Sequence, residues 1–387
     1  MAMPSKTMMI ITIVTATVLL AGCGASNSSV VVPNFPAAQP KTTTNSVATP
    51  TGNTSTSNST STLQINANSL FMTSKSTGWN FPAFQGDPIL NDAVLHTHDS
   101  GKTWHNSTPA GVASQYTFAG GLAVSDSEAW FVASTGQKTM LYHTTNGGAS
   151  WTSISVPKSY IIGELSFTDS QHGWLLASQG PAVGQEPIDL YSTSDGGKTW
   201  SRILSKTVSN KLLLGNKTGI TFVNSTTGWL TVDSGQHPGQ VGLYVTNDDG
   251  RTWGLQNVPV PTNLQKNYAH PLAPTFSSSQ MGFMPVIFNN GSTVIYTTQN
   301  GGQTWSPTTP IPISQVVRVS LTGGTIYVTD GQTVYYSHDN GLNWEKWKGK
   351  VKSGGQIGAV TPNGAYVVGN GGSRVTNIPI CTSDFAK

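Results

Sequence analysis

The chain has 387 residues, only 10% of them charged, and a formal net charge of +3. Twenty basic side chains over this length are too sparse for a nucleic-acid footprint, which needs a dense basic patch with interleaved aromatics. Two cysteines cannot build a disulfide framework.

The chain opens on a targeting segment. Lys6 is followed by an apolar run from Met8 to Leu20, too short for a bilayer span and suited to a signal h-region. Leu20-Ala21-Gly22-Cys23 follows and resembles a bacterial lipobox. The resemblance implies a signal peptide over 1–22 and a lipid on Cys23. It also implies an extracytoplasmic domain anchored to a bacterial cell membrane. The other cysteine, Cys381, is then left without an intramolecular partner. Residues 23–61 are mostly Ser, Thr, Asn, Pro and Ala. That composition buries no core and predicts a disordered tether, reaching at most ~130 Å at roughly 3.3–3.6 Å per residue.

From residue 62 the chain repeats. Six tryptophans, Trp104, Trp151, Trp200, Trp253, Trp305 and Trp344, share one register. Three residues before each stands Gly101, Gly148, Gly197, Gly250, Gly302 or Gly341. Five before stands Asp99, Asn146, Asp195, Asp248, Asn300 or Asp339, and seven before stands a hydroxyl. Asp or Asn folds back onto backbone N–H groups and starts a turn. Glycine takes the φ > 0 position. The tryptophan is expected to bury ~150–250 Å² in the core, worth at most ~4–6 kcal/mol. A second element, Phe167-Thr168-Asp169 leading to Gly173-Trp174, recurs at Phe222 to Trp229 and at Phe276 to Phe283. Each unit reads as strand, tight turn, strand, variable loop, strand, clasp, strand, which is a four-stranded antiparallel propeller blade. At an average period of 48 the 326 residues from 62 onward hold nearly seven units. The expected fold is all-β, a seven-bladed β-propeller over 62–387, with six blades plus a C-terminal extension as the alternative. Thr62-Leu63-Gln64-Ile65 would supply the outer strand of the last blade.

The clasp resembles the Asp box, or bacterial neuraminidase repeat, Ser/Thr-x-Asp-x-Gly-x-Thr-Trp. Together with the second element it is similar to the photosystem II assembly-factor propellers and their bacterial relatives over nearly all of 66–350. The resemblance implies that the boxes join third and fourth strands at the blade periphery, away from any active site. It also implies a non-catalytic scaffold for extracytoplasmic membrane-protein assembly. The arginine-rich surface of the photosynthetic members has no counterpart among Arg202, Arg251, Arg318 and Arg374.

In such a blade the Asp box and the first tight turn share one face. The long loops lie on the other, where binding residues concentrate. Phe84, Asp87, Glu186, His237, Tyr268 and His270 are the candidates there. Glu164 and Arg318 are charges in first strands and are expected to line the central channel as an ion pair. Sialidase chemistry lacks its arginine cluster, and no spacing singles out a carboxylate pair among Glu128, Glu164, Glu186 and Glu345. His96 and His98 are two imidazoles, short of a metal site. No catalytic residue, metal or cofactor is expected. The expected role is a monomeric, lipid-anchored binding or assembly-scaffold protein whose partner is an envelope protein or a cell-surface glycan, with no nucleic acid. The alternative is a glycan-binding protein or glycoside hydrolase of the cell surface.

Overall fold

A computed structural model describes residues 65, 67–82, 93–112, 117–134, 138–156, 162–178, 186–204, 212, 215–233, 237–322, 324–349, 351, 355–361, 364–369 and 375–378. Seven separate antiparallel sheets follow one another along the chain. Blade 1 is Leu70–Met72, Gly78–Asn80, Leu95–Thr97 and His105–Asn106. Blade 2 is Thr117–Ala123, Ala129–Ser134, Thr139–Thr144 and Thr152–Val156. Blade 3 is Ile162–Phe167, Gly173–Ser178, Ile188–Thr193 and Ser201–Arg202, and blade 4 is Lys217–Phe222, Gly228–Val232, Gly242–Thr246 and Gly254–Leu255. In blade 5 the first strand is split into Ala269–Pro271 and Thr275–Phe276, both pairing with Gly282–Phe288, ahead of Thr293–Thr298 and Ser306–Pro307. Blade 6 is Arg318–Thr322, Thr325–Thr329, Val334–Ser337 and Glu345–Lys346. Blade 7 shows three described strands, Gln356–Thr361, Gly364–Val368 and Val375–Ile378. Thr62 to Gln64 lie outside the described residues. Ile65 is buried with Leu70, Ala359, Tyr366 and Val368, between blades 7 and 1. Among the described residues no helix is long and apolar enough to cross a membrane.

The core is a set of seams. Seven buried clusters each join two neighbouring blades, and the one holding Ile65, Leu70, Tyr366 and Val375 closes blade 7 onto blade 1. Three seams repeat one aromatic arrangement. Trp174 of blade 3 stacks on Phe222 of blade 4 at 3.8 Å, and Phe222 meets the box Trp253 edge-on at 6.1 Å. Trp130, Phe167 and Trp200 do the same, with Trp130 and Phe167 4.1 Å apart. Trp229, Phe276 and Trp305 form the third set.

The expectation that the box tryptophans pack into the core is met in part, since five of the six pack against its edge. Trp104, Trp151, Trp200, Trp253 and Trp344 are only partly buried, and Trp305 alone of the six is buried. The fully buried indoles are those of the second strands, Trp79, Trp130, Trp174 and Trp229, each at most 1% exposed. The reason is the turn itself. In three boxes the indole swings back so that its Nε1–H donates to the box glycine's carbonyl, as Trp200 does to Gly197 at 3.1 Å. That holds the ring along the rim of the seam.

The turn chemistry is as expected. Asp195 accepts the Thr199 N–H at 2.9 Å and the Thr193 and Thr199 hydroxyls at 2.8 and 2.7 Å, while Thr193 accepts the Gly197 N–H. Asn146 and Asn300 make the same backbone contact and donate through Nδ2. Gly302 sits at φ +82°, where a Cβ would lie 2.2 Å from the Trp229 ring of the preceding blade. Each of the first five boxes also donates a backbone N–H to the first tight turn of its own blade, as Gly196 does to Gln171 at 2.8 Å. The two turns therefore share one face.

Two consequences can be measured. The Thr103 hydroxyl and N–H hold the Asp99 carboxyl at about 2, below its ordinary 3.8, and the Asn343 N–H and side chain hold Asp339 likewise. A depressed carboxylate contributes stability above its unfolded value and loses it as pH falls through the folded one. The melting temperature should fall between pH 4 and pH 2, and less so when Asp99, Asp195, Asp248 and Asp339 are all changed to Asn. Gly302→Ala should cost about 2 kcal/mol or more in chemical denaturation, from the left-handed backbone and the overlap with Trp229.

Candidate functional site on the long-loop face

Two of the sequence's long segments come together at blades 4 and 5. The Gly239 N–H donates to the Asn267 carbonyl at 2.9 Å, pinning the turn that carries His237 against the segment leading into blade 5. His237 is exposed there. Asp233 follows the second strand of blade 4, and its Oδ2 lies 3.4 Å from His270 Nδ1. Tyr268 is 40% exposed, one of the few large apolar side chains so placed among the described residues. Its backbone is fixed by paired bonds with Asn289 at 3.1 Å. The result is an exposed aromatic, an acid and two imidazoles on a rigid base.

Pro261–Pro274 is less of a loop than its composition suggests. Thr262–Leu264 forms a 3-10 turn, and His270 stands within a strand, exposed between the buried Ala269 and Pro271. Pro271 and Pro274 carry no N–H and so break the ladder. Their carbonyls instead accept the hydroxyls of Thr218 and Thr221 from blade 4, the latter at 2.7 Å.

Glu186 was expected on this face as an exposed binding residue, and the structure corrects that. It is 4% exposed. One carboxylate oxygen accepts the Ser178 hydroxyl and the other accepts the Lys217 N–H. Lys217 Nζ donates to the Glu186 carbonyl at 3.2 Å and to Gly215 at 3.0 Å. Glu186 is a rivet between blades 3 and 4. Its charge reaches Glu164. Burial first, and the Glu186 charge second, raise the Glu164 carboxyl to about 7, against an opposing backbone bond from Ile220. Burial lowers Lys217 to about 8, with Glu186 pulling the other way. Lys217 was missed in the sequence, although it carries the signal that singled out Glu164, a charge in a first strand.

Glu164 and Arg318 do not form the expected ion pair. Arg318 Nη2 donates to the Leu70 carbonyl at 2.8 Å, and its guanidinium lies 4.8 Å from the centre of the Phe71 ring. It thus reaches from blade 6 to blade 1. Burial lowers its pKa. Phe84, Asp87 and Cys23 lie outside the described residues. Among the described residues no three His, Cys, Asp or Glu side chains gather as metal ligands. His96 instead stacks on Trp79 at 3.9 Å and bonds through Nδ1 to the Gly147 carbonyl.

Comparisons with known proteins agree with the architecture. A profile of the Sortilin-Vps10 family, described as sortilin, neurotensin receptor 3, matches residues 92–226, and the BNR/Asp-box repeat profile matches 335–346. No curated protein matches the sequence significantly. The structure of YCF48 bound to D1 peptide is 17% identical with a TM-score of 0.54, covering 82% of this chain and 96% of that one. YCF48 from Cyanidioschyzon merolae is 14% identical with a TM-score of 0.52, covering 78% and 91%. A GH74 enzyme from Niastella koreensis is 13% identical with a TM-score of 0.36, covering 81% and 55%. At such identities the likeness is one of fold.

Glu164 gives this region a pH signature. A carboxyl raised in the folded state contributes stability that is full below its unfolded value of 4.5 and lost as pH rises through about 7. Between pH 5 and pH 8 the wild type should lose at most ~3 kcal/mol through this group. Glu164→Gln should flatten that slope in denaturant titrations.

Proposed function

We propose that this chain is a membrane-anchored, extracytoplasmic binding or assembly-scaffold lipoprotein that acts without catalysis. Its occupant is a segment of an envelope protein, received on the long-loop face of blades 4 and 5. The observation that carries this reading is the set of exposed His237, Tyr268 and His270 with half-buried Asp233, tied between blades by the Gly239–Asn267 backbone bond and the His270–Asp233 contact. An aromatic anchor with polar groups around it suits protein recognition, where tyrosine is enriched. The structure of YCF48 bound to D1 peptide supports the reading in kind, as a propeller of this fold that holds a peptide. The lipobox-like Leu20 to Cys23 supports the anchor.

A second reading, a glycoside hydrolase, has one observation in its favour. Burial raises the Glu164 carboxyl to about 7, into the range a general acid uses. It needs a second, free carboxylate across an open pocket. Glu186 is buried with both oxygens engaged, which weighs against the pair.

The test is co-purification of the tagged full-length protein from detergent-solubilised membranes, beside a Tyr268→Ala, His270→Ala double variant. A defined protein partner should be recovered with the wild type and lost with the double variant at unchanged melting temperature. A partner retained by the variant would move the site to another face. Glycan turnover abolished by Glu164→Gln would replace this reading with the hydrolase. In cell fractionation Cys23→Ala should shift the protein from the membrane to the soluble fraction.

A further inference from the structure

The opposite, Asp-box face carries a cleft that the long-loop site does not use. It lies between blades 3 and 4, has a volume of about 300 Å³, and is lined on one side by Ser192 and Ser201 of blade 3 and on the other by Ser225, Asp249 and Arg251 of blade 4. His172 stands at its edge. The volume is at the lower end of small-ligand sites, roughly 300–1,000 Å³.

Its ionisable side chains are already engaged. Asp249 pairs with Arg251 at 3.1 Å, and Asp169 with His172 at 2.9 Å. Asp249 is further fixed by the Trp174 indole N–H, which donates to it at 2.7 Å. Asp249 follows the box aspartate at φ +65°, in the left-handed position that blades 2, 3 and 5 fill with Gly147, Gly196 and Gly301. Blade 4 therefore holds a carboxylate in a backbone conformation that favours glycine, and aims it into the cleft.

What remains free is hydrogen-bonding capacity without net charge. The hydroxyls of Ser192, Ser201 and Ser225 have no hydrogen-bond partner among the described residues. A serine hydroxyl both donates and accepts. His172 Nδ1 is committed to Asp169, so Nε2 is left for a ligand. Arg251 is 60% exposed and retains donors beyond those given to Asp249 and to the Asp248 carbonyl. An anion would meet no uncompensated cation here, and the apolar side chains of the lining are Ile203 and Trp174, set among hydroxyls. The complement of such a surface is a molecule dense in hydroxyls and without charge.

We propose that the blade 3–4 cleft is a binding site for neutral saccharide, separate from the long-loop face and independent of the function proposed for it. Ser192, Ser201 and Ser225 exchange hydrogen bonds with sugar hydroxyls, His172 Nε2 bonds another, and the Asp249–Arg251 pair offers an acceptor and a donor side by side.

The experiment is calorimetric titration of the full-length protein in detergent with cellotetraose, maltotetraose, tetra-N-acetylchitotetraose and an oligogalacturonide as the anionic arm. One neutral sugar should bind saturably with a Kd of about 1 mM or tighter. Ser201→Trp, which fills the cleft from an exposed strand, and His172→Phe, which keeps an aromatic ring and removes its polar nitrogens, should each weaken binding roughly tenfold or more. Both variants should keep the wild-type melting temperature. The Tyr268→Ala, His270→Ala variant should bind sugar as the wild type does, so failure of the long-loop site leaves this test unaffected. The proposal is overturned if no neutral sugar binds at millimolar concentration, if the oligogalacturonide is preferred, or if Ser201→Trp binds normally.

Discussion

This propeller depends on the apolar contact between one blade and the next, made in three of its seams by a second-strand indole stacked on the following blade's first strand. A single four-stranded sheet with both faces apolar cannot stand in water, and two or three apolar side chains per face are too few to hold it. The stack of Trp174 on Phe222, 3.8 Å between ring centres and nearly parallel, turns two such sheets into one core. The Asp box adds a clamp at the rim. Its glycine allows the backbone to come within reach of the neighbouring ring, as at Gly302 over Trp229. Its tryptophan seals the seam edge-on. Stability is thus stored between blades rather than inside them, and the seven described clusters, one per seam, are its direct expression.

The inner edges follow from the same arrangement. A first strand pairs with only one neighbour, leaving the other edge unpaired. Side chains of other blades satisfy part of it. Ser166 accepts the Phe222 N–H at 2.8 Å, Thr221 donates to Pro274, and Arg318 donates to Leu70. Glu164 and Lys217 belong to this system before they belong to any site. Burial at this inner edge, with the Glu186 charge, raises the Glu164 carboxyl. A polar group there is first a replacement for a missing strand.

Much of the architecture was legible in the sequence because its signals are local. Thr193-x-Asp195-x-Gly197 encodes a turn through bonds that span four residues, and such bonds need no knowledge of the rest of the chain. The repeat then gives the blade count. Depth was not legible. Nothing local distinguishes Trp200, at the rim, from Trp174, at the centre, because the difference lies in what the neighbouring blade places against each ring. Glu186 was misjudged for a related reason. Its partners Ser178 and Lys217 are 8 and 31 residues away, and only the fold brings them to it. Tyr268 and His270 were found on composition but assigned to a loop, because Pro271 and Pro274 conceal a strand whose carbonyls are satisfied from blade 4. The blade 3–4 cleft was not found at all. Serines on a strand surface carry no signal until a carboxylate–guanidinium pair is placed opposite them.

Arg318 has a mechanical meaning. The chain enters the propeller at Ile65, buried between blades 7 and 1, and runs into a first strand of only three residues, Leu70–Met72. Such a strand would peel easily under tension applied along the N-terminal segment. The guanidinium grips its first carbonyl and rests against its second side chain from the far side of blade 7. A pull entering at Leu70 is therefore passed to blade 6 as well as to its neighbours, and the load is shared across the joint where the ring begins and ends.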